Sequence, residues 1–251
     1  MNEKIIAKSE KKIIYQIDDK IVKTYCEPYD VTQVLNEALN QAKISESNIH
    51  APKIYEVKDF NGNLGIVMDY IKGENLLKLI NTDKSNIDKY LNIFAETQHK
   101  IFSSTGEFLN NSYGRIKKKI FASELPMNIK YGLFYRLREM EFAKDIIHGD
   151  YTLSNVIISE DGTPYILDWG HVSFGDKKID IAISYILFII EGQNVLAEKY
   201  LDLICNLENI SKEKIMKTMM LAYIYIVDRY DEIKRKNIYD KVYELIKLEE
   251  A

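Results

Sequence analysis

Asp150, Asn155 and Asp168 are the residues whose types and spacing could do chemistry. They stand in His148-Gly149-Asp150-Tyr151-Thr152-Leu153-Ser154-Asn155 and in Ile166-Leu167-Asp168-Trp169-Gly170. An acid, an amide five residues later and a second acid in Asp-x-Gly at a strand end form the arrangement that phosphoryl transfer to a hydroxyl needs. One carboxylate must accept the hydroxyl proton and hold the nucleophile in line. An amide oxygen and a second carboxylate must hold the metal that neutralises charge on the phosphates. A few hard oxygen donors suit Mg2+, which keeps waters and takes its remaining ligands from a nucleotide. Taken singly, Asp-Gly and Asn are common turn formers. The joint spacing separates this segment from a set of turns.

The surrounding pattern predicts the elements that must position these groups. Residues 13–17 and 21–25 are β-prone runs flanking Asp18-Asp19, which tolerate φ > 0, and they read as a tight hairpin. Val31, Val34, Leu35, Ala38, Leu39 and Ala42 recur at helical steps behind Asp30, a ready N-cap. Residues 53–57 and 64–70 read as strands around the turn Asn61-Gly62. From Gly73 the pattern becomes helical. Ser85 is placed to cap a helix carrying Ile87, Tyr90, Leu91, Phe94 and Ile101, and a second helical stretch runs over about 128–144. Ile146-Ile147, 156–158 and 165–167 revert to short strands, Asp161-Gly162 turns between the last two, and 180–249 is helical again. The expected fold class is α+β in two lobes: a small β-rich N-lobe over 1–70 and a larger helical C-lobe over 71–251.

Composition narrows the function. The 251 residues are 46% hydrophobic and 29% charged, ordinary values for a soluble globular enzyme. A net charge of −4 argues against a nucleic-acid partner, and Lys117-Lys118-Lys119 reads as a solvated face. Cys26 and Cys205 fit no metal-ligand spacing and read as free thiols of a reducing, cytoplasmic setting. The start, Met1-Asn2-Glu3-Lys4, is charged and shows no signal peptide. The longest apolar run, 181–190, falls short of the ~20 residues needed to cross a bilayer and reads as a buried helix, so no membrane is expected.

The same residues resemble the aminoglycoside phosphotransferase and choline kinase family of kinase-like enzymes. The likeness lies in His148-Gly149-Asp150 with Asn155, in Leu167-Asp168-Trp169-Gly170, and in Gly175-Asp176 continuing to Asp180-Ile181-Ala182. It implies a two-lobed protein-kinase-like fold, with Asp150 as catalytic base, Asn155 and Asp168 as Mg2+ ligands, and ATP or GTP as phosphoryl donor. It makes His148 a structural residue and Asp180 a helix-opening acid that caps or braces the loop. It also calls for a lysine on the third strand to hold the nucleotide phosphates, which falls to Lys23. Glu37, the one acid within 31–42, is the helix glutamate that would pair with it; off the centre of the apolar stripe, it could face Lys23 or water. Met68-Asp69-Tyr70-Ile71-Lys72-Gly73-Glu74 resembles the adenine-binding hinge, Asp69 and Ile71 offering backbone groups and Met68 a wall. Ile157 and Leu167 would sandwich the ring. The sequence departs from the kinase pattern at Lys8-Ser9-Glu10-Lys11-Lys12, where a phosphate-covering loop has no glycine and Ser9 is a bare guess for a contact.

The implied reaction moves the γ-phosphoryl group of ATP to a hydroxyl of a small molecule. An aminoglycoside or aminocyclitol antibiotic is the leading acceptor, which Glu191, Glu198, Asp202, Asp228, Asp231 and Glu232 could suit by charge. Asp168-Trp169-Gly170 with Phe174-Gly175-Asp176 also looks like the hygromycin-type branch. A metabolic kinase for an amino alcohol, sugar or vitamin is the alternative, with Tyr223, Tyr225 and Tyr230 offered as a cage for a quaternary amine. A non-catalytic nucleotide-binding or spore-coat-like interaction protein is a third reading. No Ala-Pro-Glu follows Gly170, which speaks against a protein substrate.

Overall fold

The computed structural model describes residues 3–26, 28–106 and 108–250, with backbone alone at 249 and 250. Met1 and Asn2, on which part of the leader reading rests, lie outside them. The N-terminal strands β1 (Glu3–Lys8), β2 (Lys12–Ile17) and β3 (Lys20–Tyr25) form an antiparallel meander. Its second turn is the expected one, with Asp18 at φ 53°. The helix α1 (Val31–Ser45) follows, its Asp30 side chain accepting from the Thr32 N–H at 2.8 Å. Then β4 (Ile54–Phe60) and β5 (Asn63–Asp69) turn through Asn61 and Gly62, both at positive φ. The sheet order is β1-β2-β3-β5-β4, so β3 sits at the centre, and its Val22, Lys23, Thr24 and Tyr25 are buried.

Packing against this sheet rotates the buried face of α1 from the expected stripe, keeping Val34 and Ala38 inside. Val31, Leu35 and Leu39 are half exposed, whereas Val34, Glu37, Ala38, Gln41 and Ile44 are buried. Tyr25, Val34, Ala38, Ile66 and Met68 make the core beneath the sheet. The helix has two apolar stripes, and tertiary contact with the sheet selects the one that carries Glu37.

Beyond β5 the chain forms β6 (Gly73–Asn75), where helix was expected, then α2 (Leu76–Thr82) and α3 (Ile87–Phe102). A short 3-10 turn holding Ser85 precedes α3. Two helices follow, α4 (Ser112–Ala122) and α5 (Met127–Glu139), the first of them unforeseen. The short strands β7 (Asp145–Ile147), β8 (Val156–Ser159), β9 (Pro164–Ile166) and β10 (Ser173–Gly175) come next, and α6 (Lys177–Ile190), α7 (Asn194–Glu208), α8 (Lys212–Met216), α9 (Met219–Ile226) and α10 (Glu232–Glu250) complete the chain. β6, β8 and β9 form one small sheet, and β7 pairs with β10.

The chain divides into two compact units. One holds residues 1–90 and 153–172; the other holds 91–152 and 173–251. In the first, the Ile166 N–H donates to the His50 carbonyl at 2.9 Å and the His50 and Tyr165 rings stack, which ties β9 to the segment following α1. In the second, all eight residues of α9 are buried, and Phe94, Tyr151, Phe188 and Tyr200 form an aromatic cluster. Each fully buried aliphatic or aromatic side chain contributes about 1.5–3 kcal/mol relative to exposure. Among the described residues no helix is long and apolar enough to cross a membrane.

Candidate active site

The first unit gathers Lys23, Glu37 and Asp168. Lys23 on β3 sits 2.5 Å from Glu37 Oε1 and 3.0 Å from Asp168 Oδ1, and its side chain is only 9% exposed. The open question about Glu37 is therefore answered: it faces the lysine. A buried ammonium between two carboxylates keeps its charge despite desolvation. Burial lowers its pKa, but Asp168 and Glu37 outweigh that and leave it well above the usual lysine range. Burial likewise opposes ionisation of Asp168, yet Lys23 and then Lys12 hold its carboxyl well below the usual range. Lys23 and Asp168 therefore stabilise each other's charged forms.

Local backbone chemistry sets Asp168 in place. It adopts φ 63°, ψ 63°, a left-handed conformation that Asp visits at modest cost and that recurs at functional turns. The Trp169 ring, fully buried, donates from Nε1 to the Ile166 carbonyl at 3.0 Å and pins the turn. Gly170 then leaves room for Glu37: a Cβ there would stand 3.2 Å from Glu37 Oε2. Asn155 ends the 3-10 turn entering β8, and its carbonyl accepts from the Leu167 N–H at 2.8 Å. That single ladder bond places Asn155 beside the residue preceding Asp168, as expected of groups at the ends of adjacent strands. An amide and a carboxylate from these adjacent positions are oxygen donors of the kind that could hold a Mg2+ ion.

The hinge residues hold a mixture of structural and available groups. Met68 belongs to the core under the sheet. The Asp69 N–H donates to the Lys53 carbonyl, and its carboxylate accepts from the Lys53 N–H and the Tyr55 hydroxyl. Its amide is thus committed within the sheet. Ile71 lies half-buried between β5 and β6, and Ile157 on β8 and Leu167 after β9 are half-buried too.

In the second unit Asp150 belongs to a braced loop. Asp180, in the first turn of α6 and fully buried, accepts from the Gly149 N–H at 2.7 Å and the His148 N–H at 3.2 Å. Gln98 donates to the same carboxylate at 3.2 Å, and the Tyr200 hydroxyl donates to Gln98 Oε1 at 2.6 Å. His148 Nδ1 lies 3.2 Å from the Asp150 N–H, which donates to it. Tyr151 anchors the next position through its hydroxyl, which donates to the Phe94 carbonyl at 2.8 Å. The helix cap itself is Asp176, so Asp180 braces rather than caps.

Two participants escaped the sequence reading. Arg229, just beyond α9, donates from Nη1 to Asp150 Oδ1 at 3.0 Å and from Nη2 to the Gly149 carbonyl at 2.6 Å. No motif marks it, for it lies 79 residues from Asp150. Lys12, at the start of β2, stands 3.5 Å from Asp168 Oδ2 and 3.6 Å from Glu37 Oε2. A signal for it existed: once Ile17 faces Lys20 across the hairpin, Ile14 falls opposite Lys23 and Lys12 opposite Tyr25.

Residues 123–212 match the model of the phosphotransferase enzyme family. The match takes in Asp150, Asn155, Asp168 and Asp180; Lys23 and Glu37 lie outside it. None of the curated proteins matches the sequence. Among solved structures, the chain is similar to an aminoglycoside-3'-phosphotransferase of type VIII at 12% identity, covering 89% of this chain and 93% of that one with a TM-score of 0.66. It is similar to choline kinase LicA from Streptococcus pneumoniae at 17% identity, with 98% and 94% covered and a TM-score of 0.65. A thermostable mutant of aminoglycoside phosphotransferase APH(4)-Ia, in ternary complex with ADP and hygromycin B, is 10% identical, with 97% and 89% covered and a TM-score of 0.65. The fold is therefore the kinase-like fold of aminoglycoside phosphotransferases and choline kinases, as the motifs implied.

Proposed function

We propose that the protein is an ATP-dependent, Mg2+-assisted phosphotransferase acting on a hydroxyl of a small molecule. The observation that carries this reading is the buried Lys23–Glu37–Asp168 cluster, since a fold alone does not require a lysine held between two acidic side chains. In this reading Lys23 binds the nucleotide phosphates and Glu37 orients it. Asp168 and Asn155 hold the Mg2+, which would stabilise negative charge on the phosphoryl group. Asp150 accepts the hydroxyl proton and aligns the attacking oxygen. Ile157 and Leu167 line the adenine site, with Ile71 and Asp69 beside it.

Of the two acceptors implied by the resemblance, one observation favours the metabolite over the polycationic antibiotic. Three of the six acids expected to attract an aminoglycoside are paired with lysines: Glu198 and Asp202 with Lys212, and Asp228 with Lys119. Three cations, Arg115, Lys119 and Arg229, surround Tyr225, and the last of them also holds Asp150. Positive charge there disfavours an acceptor with several ammonium groups. It equally fills the faces of one ring expected to cage a quaternary amine.

The test is ADP release by purified protein with Mg2+-ATP against a panel of sugars, amino alcohols, vitamins and aminoglycosides. A hydroxylated metabolite should be turned over, and Asp150→Ala should abolish the turnover. Aminoglycoside resistance conferred on a sensitive bacterium, and lost with Asp150→Ala, would restore the antibiotic acceptor. No nucleotide binding at all would end the kinase reading.

A further inference from the structure

The turn between β1 and β2 spends its donors on itself. The Ser9 N–H donates to the Lys12 carbonyl at 2.8 Å, the Ser9 hydroxyl lies 3.3 Å from the same oxygen, and the Lys12 N–H donates to Ser9 Oγ at 3.1 Å. Ser9 is thus a turn-closing residue, and its amide and hydroxyl are both engaged. With the Ser9 and Lys12 amides engaged and no glycine to let backbone approach a ligand closely, the turn lacks a glycine-type anion cradle.

The same closure fixes Lys12 at the mouth of the cluster. Cross-strand register puts Lys12 opposite Tyr25 and Ile14 opposite Lys23, so Lys12 and Lys23 project from one face of the sheet. The two lysines differ in how tightly they are held. Lys23 is buried and makes close contacts to Glu37 and Asp168. Lys12 is 33% exposed, lies over the Tyr25 ring, and approaches both carboxylates at 3.5–3.6 Å, beyond good hydrogen-bond geometry. It is the more loosely held lysine of the pair and the more exposed to solvent.

We infer that Lys12 is a second phosphate-binding lysine, which replaces with a side-chain charge the glycine-loop cradle that this chain lacks. The inference rests on the nucleotide site proposed above. A Mg2+ ion on Asp168 competes with Lys12 for the same carboxylate, and the nucleotide phosphates that arrive with the ion supply new anionic acceptors. Lys12 then grips the phosphates while Lys23 stays with Glu37. The ligand it recognises is a nucleoside di- or triphosphate; a nucleoside gives it nothing to bind.

Calorimetric titration of the full chain with Mg2+-ATP, Mg2+-ADP and adenosine tests this without any knowledge of the acceptor. Lys12→Gln, which keeps the stem, should weaken Mg2+-ATP about 10- to 100-fold, the range of a lost charge-assisted contact, and leave adenosine within about twofold. Lys12→Arg should recover most of the ATP affinity, and Lys11→Gln, in the same turn but exposed, should match wild type. Unchanged ATP binding by Lys12→Gln overturns the inference and leaves the kinase reading intact. An equal loss for adenosine and ATP overturns it too, because Lys12 would then merely support the fold. Wild-type protein that binds adenosine and ATP alike, or neither, overturns both.

Discussion

The two charged clusters of this protein are built on opposite principles. Around Lys23 the charges neutralise one another: two lysines and two carboxylates sit together, carried by β2, β3, α1 and the turn after β9. Around Asp150 the backbone does the work, with a buried acid, a histidine and a tyrosine gripping the loop and one arginine touching the Asp150 carboxylate. A group that binds phosphates must already be charged and fixed before the nucleotide arrives, and a buried ion-pair cluster achieves that. The group proposed to take a proton from a hydroxyl must be within reach of the substrate, and Asp150 is 29% exposed. One cluster stores charge; the other stores position.

The contrast can be broken most sharply at Asp150. Asp150→Ala should lower kcat about 10²- to 10⁴-fold while nucleotide affinity and melting temperature stay near wild type, measured by turnover, calorimetry and thermal denaturation. Lys23→Met should instead cost stability, about 3–5 kcal/mol in urea unfolding, because it leaves buried carboxylates uncompensated. The double variant Lys23→Met, Glu37→Leu should lose less than the single one; additive losses would show that the cluster does not act as a unit. Arg229→Lys keeps the charge but removes the two-pronged grip, so kcat should fall about tenfold with little change in unfolding. A large stability loss there would make the second cluster a charge store as well.

The smallest effect concerns Asp180. Burial raises its pKa, against the pull of His148 and the N–H groups it accepts from. A group titrating higher when folded contributes stability that is complete below its unfolded value of about 3.9 and is lost as pH rises through the folded value. Wild-type stability should therefore fall from pH 4 upward more than that of Asp180→Asn. Parallel curves would remove the acid from the pH balance.

Much of this was legible because local rules govern it. The Asp18-Asp19 and Asn61-Gly62 hairpins depend on residues that accept positive φ, and the start of α1 depends on Asp30. The α1 face was misread because Val31, Leu35 and Leu39 form a stripe as apolar as the one the sheet covers, and only the sheet decides between them. β6 was read as the start of a helical region because three residues carry no periodicity; its pairing with β8 is what makes it a strand.

By itself, then, the sequence determined which groups could handle a phosphoryl group, and the order of most elements that carry them, since turns, caps and motif spacing act over a few residues. Tertiary structure alone decided that Glu37 turns toward Lys23, that Lys12 joins them, and that Arg229 meets Asp150. Those choices depend on which faces are desolvated and which charges meet across 79 residues of chain, and no local pattern records them.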